Sequence, residues 1–360
     1  MSDERGVLLL GYGLAGRVFH APLISSEPGL RVRAVVTANH ERIAQAEADI
    51  PGVRVHPTTA EALADCADID LVVVANANRA HVSDARTAIA AGKHTVVDKP
   101  LAGTADQARQ LAQEAASAGV QLHTFQNRRW DSDFLTLQSV LASGQLGLPH
   151  RLESRFERLR VDPKGNWRES AAPEDLGGVL LDFGAHLVDQ ALTLLGPVTA
   201  VTAYARSLRD ADGADDDMQI VLTHAEGAIS LLFGSQVSAF GRPRFSLLGT
   251  RGGLRIEDSD SQEERLRAGQ SPGGAGWGTE SFTGELVIGL PDGRTSAARV
   301  PMTPGAWPAF YAQVHAAITS QAPGPVPIAD VIENLRVLDA ARESVRTSAS
   351  VQLIPPARHE

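Results

Sequence analysis

The 360-residue sequence has a single cysteine, Cys66, which rules out an intrachain disulfide and fits a reducing compartment. Positive charge is also in short supply. Against 43 Asp and Glu there are 33 Lys and Arg, for a formal net charge of -10. Nucleic acids and anionic membranes reward basic faces, so neither is an expected partner, and any phosphate must be held by local geometry. No apolar run is long enough for a signal peptide or a membrane span, and the charged start MSDERG leads directly into VLLLGYG. A cytoplasmic protein is expected. With 43% hydrophobic and 21% charged residues the composition is that of a globular protein, and the length predicts two domains.

Up to residue 125 the chain alternates short apolar runs with Ala-rich helical stretches. Strands are predicted at Val7 to Leu10, Arg31 to Val36, Leu71 to Ala75, His94 to Val97 and Val120 to Thr124. Helices are predicted at Glu41 to Ala48, Arg79 to Ala91 and Ala105 to Ala118. Continuous apolar strands alternating with helices imply a parallel sheet covered on both faces, a doubly wound Rossmann domain.

From 126 to 360 the pattern changes to longer β-like runs: Arg151 to Arg160, Val198 to Arg206, Gln219 to His224, Ala228 to Phe233, Phe245 to Gly249 and Gly253 to Glu257. These imply a large, mainly antiparallel open sheet in an α+β domain with helices on one face. The other face suits self-association, so a homodimer or homotetramer is expected. Glu257 to Glu285 lacks a period and reads as a long loop or irregular hairpin; Trp307 to Ser320 and Ile328 to Thr347 read as closing helices. The acidic run from Asp210 to Asp217 lacks the spacing and terminal Glu of a calcium loop and reads as a solvated turn.

Gly11-Tyr12-Gly13-Leu14-Ala15-Gly16 is a G-x-G-x-x-G that directly follows the first strand and opens a helix. In that context Gly11 makes the tight turn, Gly13 admits the pyrophosphate and Gly16 allows helix–strand contact, with Leu14 and Ala15 between them. Free amides at the helix start face the phosphates. The alternative is a plain glycine turn. After the second strand, where NAD-specific sites place an acid on the ribose hydroxyls, stand Thr37, Asn39 and Arg42. No acid precedes Glu41, which favours NADP over NAD; the plainer reading of Arg42 is a solvated helix residue.

Asp98-Lys99-Pro100 follows the fourth predicted strand, and ligands of open α/β sheets bind at the carboxyl ends of strands. In Gly177-Gly178-Val179-Leu180-Leu181-Asp182-Phe183-Gly184-Ala185-His186-Leu187-Val188-Asp189, a helix from Leu180 to Leu195 puts Asp182, His186 and Asp189 on one face. That stripe is a structural hydrogen-bond cluster, a metal site or an acid/base pair. No cysteine or H-E-x-x-H pattern accompanies it, and no metal is expected.

On these residues the chain resembles the Gfo/Idh/MocA oxidoreductases over essentially its whole length. GYGLAG, D-K-P in place of the usual E-K-P, and the G-G-x-x-L-x-D-x-G-x-H-x-x-D segment carry the match. GYGLAGRVFHAPLI and QNRRWDSDF look closest to the NADP-dependent scyllo-inositol dehydrogenases among them. The resemblance implies that Lys99 is the catalytic lysine, Asp182 the acid and His186 the proton-transfer group. It places Asn76, Asn78, His81 and Pro100 near the cofactor, although Ala75-Asn76-Ala77 departs from the family's T-P-N turn. It places Asn127, Arg128, Trp130 and Asp131 near the substrate, with Trp167 and Arg168 as further candidates. The implied substrate is a polyol or sugar, an inositol foremost. The alternatives are an aldose or dihydrodiol, or a non-catalytic dinucleotide sensor on the same fold.

Overall fold

The computed structural model describes residues 4–163 and 165–354. The chain divides into two compact units. One holds the residues up to Asn127 together with Ser261–Trp277 and Ala306–Ile332; the other holds Arg128–Asp260, Gly278–Gly305 and the residues from Glu333 on. The single boundary expected at residue 125 thus misses two later segments that return to the first unit.

The first unit is built on six parallel strands: β1 (Arg5–Leu10), β2 (Leu30–Val36), β3 (Arg54–His56), β4 (Leu71–Val74), β5 (His94–Asp98) and β6 (Leu122–Phe125). Their order is β3-β2-β1-β4-β5-β6, which is the doubly wound arrangement with its switch point between β1 and β4. Val7 to Leu10 and Leu71 to Val74 are fully buried, as strands covered on both faces require. The connecting helices are α1 (Ala21–Ser25), preceded by a π-helical stretch at Leu14–His20, then α2 (His40–Asp49), α3 (Thr59–Asp65), α4 (His81–Ala90) and α5 (Ala105–Ala118). Side chains of Asn39, Thr58 and Thr104 accept from the amides of Arg42, Glu61 and Gln107 and so start α2, α3 and α5. The last strand begins two residues later than the sequence suggests. Gly119 ends α5 in the left-handed region and the Val120 amide bonds back to Ala115, so Val120 caps the helix and stays out of the ladder.

The second unit carries a nine-stranded sheet. Along the chain come α6 (Ser132–Ala142), β7 (Pro149–Glu157), α7 (Val179–Asp182), α8 (Gly184–Leu195), β8 (Val198–Arg206), β9 (Asp217–His224), β10 (Ile229–Ser235), β11 (Phe245–Gly249) and β12 (Gly252–Ile256). Then come β13 (Thr283–Gly289), β14 (Thr295–Pro301), α11 (Ile328–Thr347), whose start lies in the first unit, and β15 (Val351–Gln352), while α9 (Gln262–Arg267) and α10 (Pro308–Ser320) return to the first unit. The strand order is β14-β13-β12-β11-β7-β10-β9-β8-β15, antiparallel except where β7 meets β10. In β9 every second residue is buried and its neighbours half-exposed until the last turn, the alternation of a sheet with one covered face.

Two expectations need correction here. The segment from Glu257 to Glu285 is not one long loop, because α9 and the start of β13 lie within it. The predicted helix from Leu180 to Leu195 is broken at Phe183, with a bend of 52° between the Pro173–Asp182 stretch and Gly184–Leu195. Among the described residues no single helix is long and apolar enough to cross a membrane.

Candidate dinucleotide and catalytic site

The glycine loop occupies the turn after β1, and each glycine answers a different constraint. Gly11 has φ of 96°, and a Cβ there would lie 3.0 Å from the Ala75 carbonyl oxygen and from Asn76 Cα beyond β4. A Cβ on Gly16 would lie 2.0 Å from the Gly11 carbonyl oxygen, so only glycine lets the helix sit on the loop. Gly13 is different. The three atoms nearest a Cβ there would all belong to the Arg42 guanidinium, at 3.7–3.8 Å. The loop is therefore closed by packing at Gly11 and Gly16 and open at Gly13, with an exposed cation across the opening. Leu14 is exposed and Ala15 buried.

Thr37 and Asn39 hold the segment that carries Arg42. The Thr37 amide donates to the His56 carbonyl at 3.0 Å, the Asn39 amide to Thr37 Oγ1 at 3.3 Å, and the Arg42 amide to Asn39 Oδ1 at 3.0 Å. Asn39 thus spends its side-chain oxygen on a helix cap. Asn76 Nδ2 donates to Asp84 at 2.6 Å, while its Oδ1 is buried without a hydrogen-bond partner among the described residues. An open glycine, a facing guanidinium and an orphaned acceptor at the sheet switch point fit a bound dinucleotide.

At the end of β5 the Lys99 amide donates to Asp98 Oδ1 at 2.8 Å, and His81 Nδ1 donates to the Pro100 carbonyl at 2.8 Å. Burial holds the His81 pKa below its ordinary value, against the pull of the Pro100 carbonyl and Asp98. A neutral imidazole is thereby kept on the turn that carries Lys99. Asn78 opens the short 3-10 turn ahead of His81. His20 is fully buried against Phe125, with Nδ1 2.6 Å from Tyr311 Oη.

In the second unit the Gly177-Gly178 pair has a local cause. Gly178 has φ of 89°, and a Cβ there would lie 2.1 Å from Asp215 Oδ1. That carboxylate accepts from the Leu180 amide at 2.6 Å, and the Asp215 carbonyl accepts from Val179 at 2.9 Å. Burial pushes the Asp215 carboxyl up to about 6, partly offset by these amides. The acidic run is therefore not simply a solvated turn: Asp215 caps α7, and Asp216 is buried with Arg209 at 2.9 Å.

The three polar residues do not form one helical stripe, because the break at Phe183 puts Asp182 on α7 and His186 on α8. Asp189 has a structural part: Arg129 Nε and Nη2 donate to its carboxylate at 2.8 and 2.7 Å. His186 is buried with 7% exposure, and the Phe156 ring stands edge-on to its imidazole at 6.3 Å. The Arg128 guanidinium lies 4.7 Å from that Phe156 ring, so the fold gathers Arg128, Phe156 and His186. Arg128 also bonds to the buried Asp131 at 3.3 Å. Trp167 and Arg168 stack at 4.3 Å on a turn whose Arg168 carbonyl accepts from the Gly178 amide at 2.8 Å, next to the start of α7. Asn127 is buried and Trp130 half-buried in the short 3-10 turn before α6. A groove of about 640 Å³ lined by Tyr204, Arg206, Gln219 and Phe233 on the nine-stranded sheet contains none of these residues.

Residues 5–126 match the oxidoreductase family with an NAD-binding Rossmann fold, and residues 134–255 match the GFO/IDH/MocA C-terminal domain. The chain belongs to the GFO/IDH/MocA oxidoreductase family. Its first unit is accordingly an NAD(P)-binding Rossmann domain. This GFO/IDH/MocA chain is 36% identical to the uncharacterized oxidoreductase YdgJ of Escherichia coli K12 over 354 residues, 98% of the chain and 100% of that protein. It is 32% identical to scyllo-inositol 2-dehydrogenase (NADP(+)) IolW of Bacillus subtilis 168, covering 98% of the chain and 96% of IolW. Among solved structures, an oxidoreductase from Yersinia pestis superposes with a TM-score of 0.91 at 36% identity, covering 98% of each chain.

Phe156, Gln190 and Arg244 were not foreseen. Gln190 Nε2 donates to the Arg128 carbonyl at 3.0 Å, and Arg244, 1% exposed, donates to Gln190 at 2.8 Å and Ser154 at 2.6 Å. Its guanidinium lies 3.8 Å from the centre of the Phe156 ring, so Phe156 is stacked by both Arg244 and Arg128. The one sequence signal was Gln190 itself, one helical turn after His186.

Proposed function

We propose that this chain is an NADP-preferring dehydrogenase or reductase that interconverts a secondary alcohol and a ketone on a polyol or sugar, with an inositol as the foremost substrate. The observation that carries the reading is the placement of Lys99. It is the first residue beyond β5, at the carboxyl edge of the Rossmann sheet, on a turn held by Asp98 and His81. The resemblance to IolW supports the inositol, and the Arg42 guanidinium opposite Gly13 supports the 2′-phosphate.

A bound dinucleotide would supply hydride-accepting chemistry at its nicotinamide, and Gly11, Gly13, Arg42 and Asn76 would hold it. The chain's own residues do the rest. His186 takes the hydroxyl proton, a role suited to an imidazole. Lys99 donates a hydrogen bond to the oxygen as alkoxide charge develops, and Asp182 orients the imidazole or a substrate hydroxyl. Arg128, Trp130, Asn127 and Trp167 contact the polyol and set its register. Ketone reduction runs through the same groups in reverse.

The test is initial-rate nicotinamide absorbance with NAD and NADP across inositols, aldoses and dihydrodiols, with Lys99→Ala beside the wild type. Turnover of scyllo- or myo-inositol with NADP preferred, and its loss in Lys99→Ala, is expected. Turnover retained in Lys99→Ala, or an aldose strongly preferred over every inositol, contradicts the reading.

A further inference from the structure

Three metal-ligating side chains converge in the first unit, at the carboxyl end of β3. His56 is the last residue of that strand, Asp65 the last of α3, and Cys66 its C-cap. Cys66 Sγ lies 3.5 Å from His56 Nε2, and Asp65 Oδ2 lies 3.7 Å from the same nitrogen. One ligand atom from each falls within 4.8 Å of the others.

These separations can be compared with a coordination shell. Zinc–sulfur and zinc–nitrogen bonds at tetrahedral angles put sulfur and nitrogen about 3.6 Å apart, and nitrogen and oxygen about 3.4 Å apart. The two pairs that share His56 Nε2 lie within a few tenths of an ångström of those edges, and the thiol and carboxylate lie within 4.8 Å of each other, free to close on an ion. Burial is graded across the three, with Cys66 buried, His56 half-buried and Asp65 exposed, which leaves a fourth position facing water. The nearby cation Arg54 is neutralised by Asp68 at 2.6 Å.

We propose that His56, Asp65 and Cys66 bind one thiophilic divalent cation of the zinc class, with water as the fourth ligand. The site is distinct from the catalytic residues. It meets the cofactor segment through the backbone, where the Thr37 amide bonds to the His56 carbonyl at 3.0 Å. Binding forms the metal–sulfur bond and expels the thiol proton to solvent.

Because Cys66 is the only cysteine in the sequence, a thiolate-to-metal signal has one source. The full-length protein, stripped with chelator, is titrated with cobalt(II) and then with zinc. One equivalent of cobalt per chain, with a thiolate-to-cobalt charge-transfer band in the near ultraviolet that zinc abolishes, is expected. Cys66→Ser and His56→Gln should lose the band. Asp65→Asn, at an exposed position that leaves the fold intact, should weaken cobalt binding at least about tenfold. No charge-transfer band in the wild type overturns the proposal, as does an undiminished band in His56→Gln or an affinity unchanged in Asp65→Asn.

Discussion

The two units hold their working residues by opposite means. In the first, position comes from backbone: three glycines, apolar strands and helix caps leave an opening at Gly13, and burial keeps His20, His81 and His123 of that unit neutral. In the second, position comes from buried charge. Arg129 grips Asp189, Arg244 sits fully buried beside Asp133 at 3.5 Å, and Asp215 caps α7. A backbone cradle recognises what every dinucleotide shares. A charged frame around His186 and Phe156 can be retuned by single substitutions, which suits the part of a family that must differ between substrates.

The contrast is broken most severely by removing a charge from the second frame. Arg129→Ala takes the guanidinium from the buried Asp189 carboxylate and should cost about 3–5 kcal/mol of folding stability, read by urea unfolding. Gly16→Ala in the first unit should cost about 1–3 kcal/mol, because its Cβ meets a backbone oxygen that cannot swing away. Gly13→Ala should leave unfolding unchanged and weaken dinucleotide binding about tenfold, as measured by quenching of intrinsic fluorescence. Equal stability losses at Gly13 and Gly16 would erase the distinction between the open and the packed glycine.

Acid should separate the units as well. Burial holds His20 and His123 of the first unit down to about 4, from an ordinary 6.5. The unfolded chain therefore takes up protons first, and their contribution is lost as pH falls from 6.5 toward 4, by up to about 3 kcal/mol each. In the second unit burial pushes Asp133 and Asp215 up to about 6, from 3.8. Their contribution has the opposite sign: it is present at low pH and lost as pH rises through 6, although the depressed His224 works against it. His20→Gln with His123→Gln should flatten the fall in melting temperature between pH 7 and 5, and Asp215→Asn should steepen it. The smallest effect is at the exposed Arg42, where Arg42→Ala should weaken NADPH binding about fivefold and NADH binding hardly at all.

The same contrast explains what could be read from the sequence. The glycine loop, five of the six Rossmann strands and the turn at Lys99 are local: each is a short run whose residues cause its own geometry. The strand that was missed, β3, is three half-buried residues with no apolar run, and α3 after it announced itself only through the cap Thr58 and Glu61. In the second unit the decisive causes are distant in sequence. Asp215 caps α7 from 35 residues away and Arg129 reaches Asp189 across 60. Neither the break at Phe183 nor the structural part of Asp189 has a local signature, so helical periodicity alone suggested one continuous stripe.

The central claim is that His186 moves the proton while the Rossmann unit independently holds the dinucleotide. It is tested most directly by His186→Ala, with NADPH affinity and turnover measured on the same preparation. The account predicts an NADPH Kd within about threefold of wild type and a kcat lower by at least about 100-fold. Turnover near wild type, or a loss of activity accounted for entirely by lost NADPH binding, would contradict it.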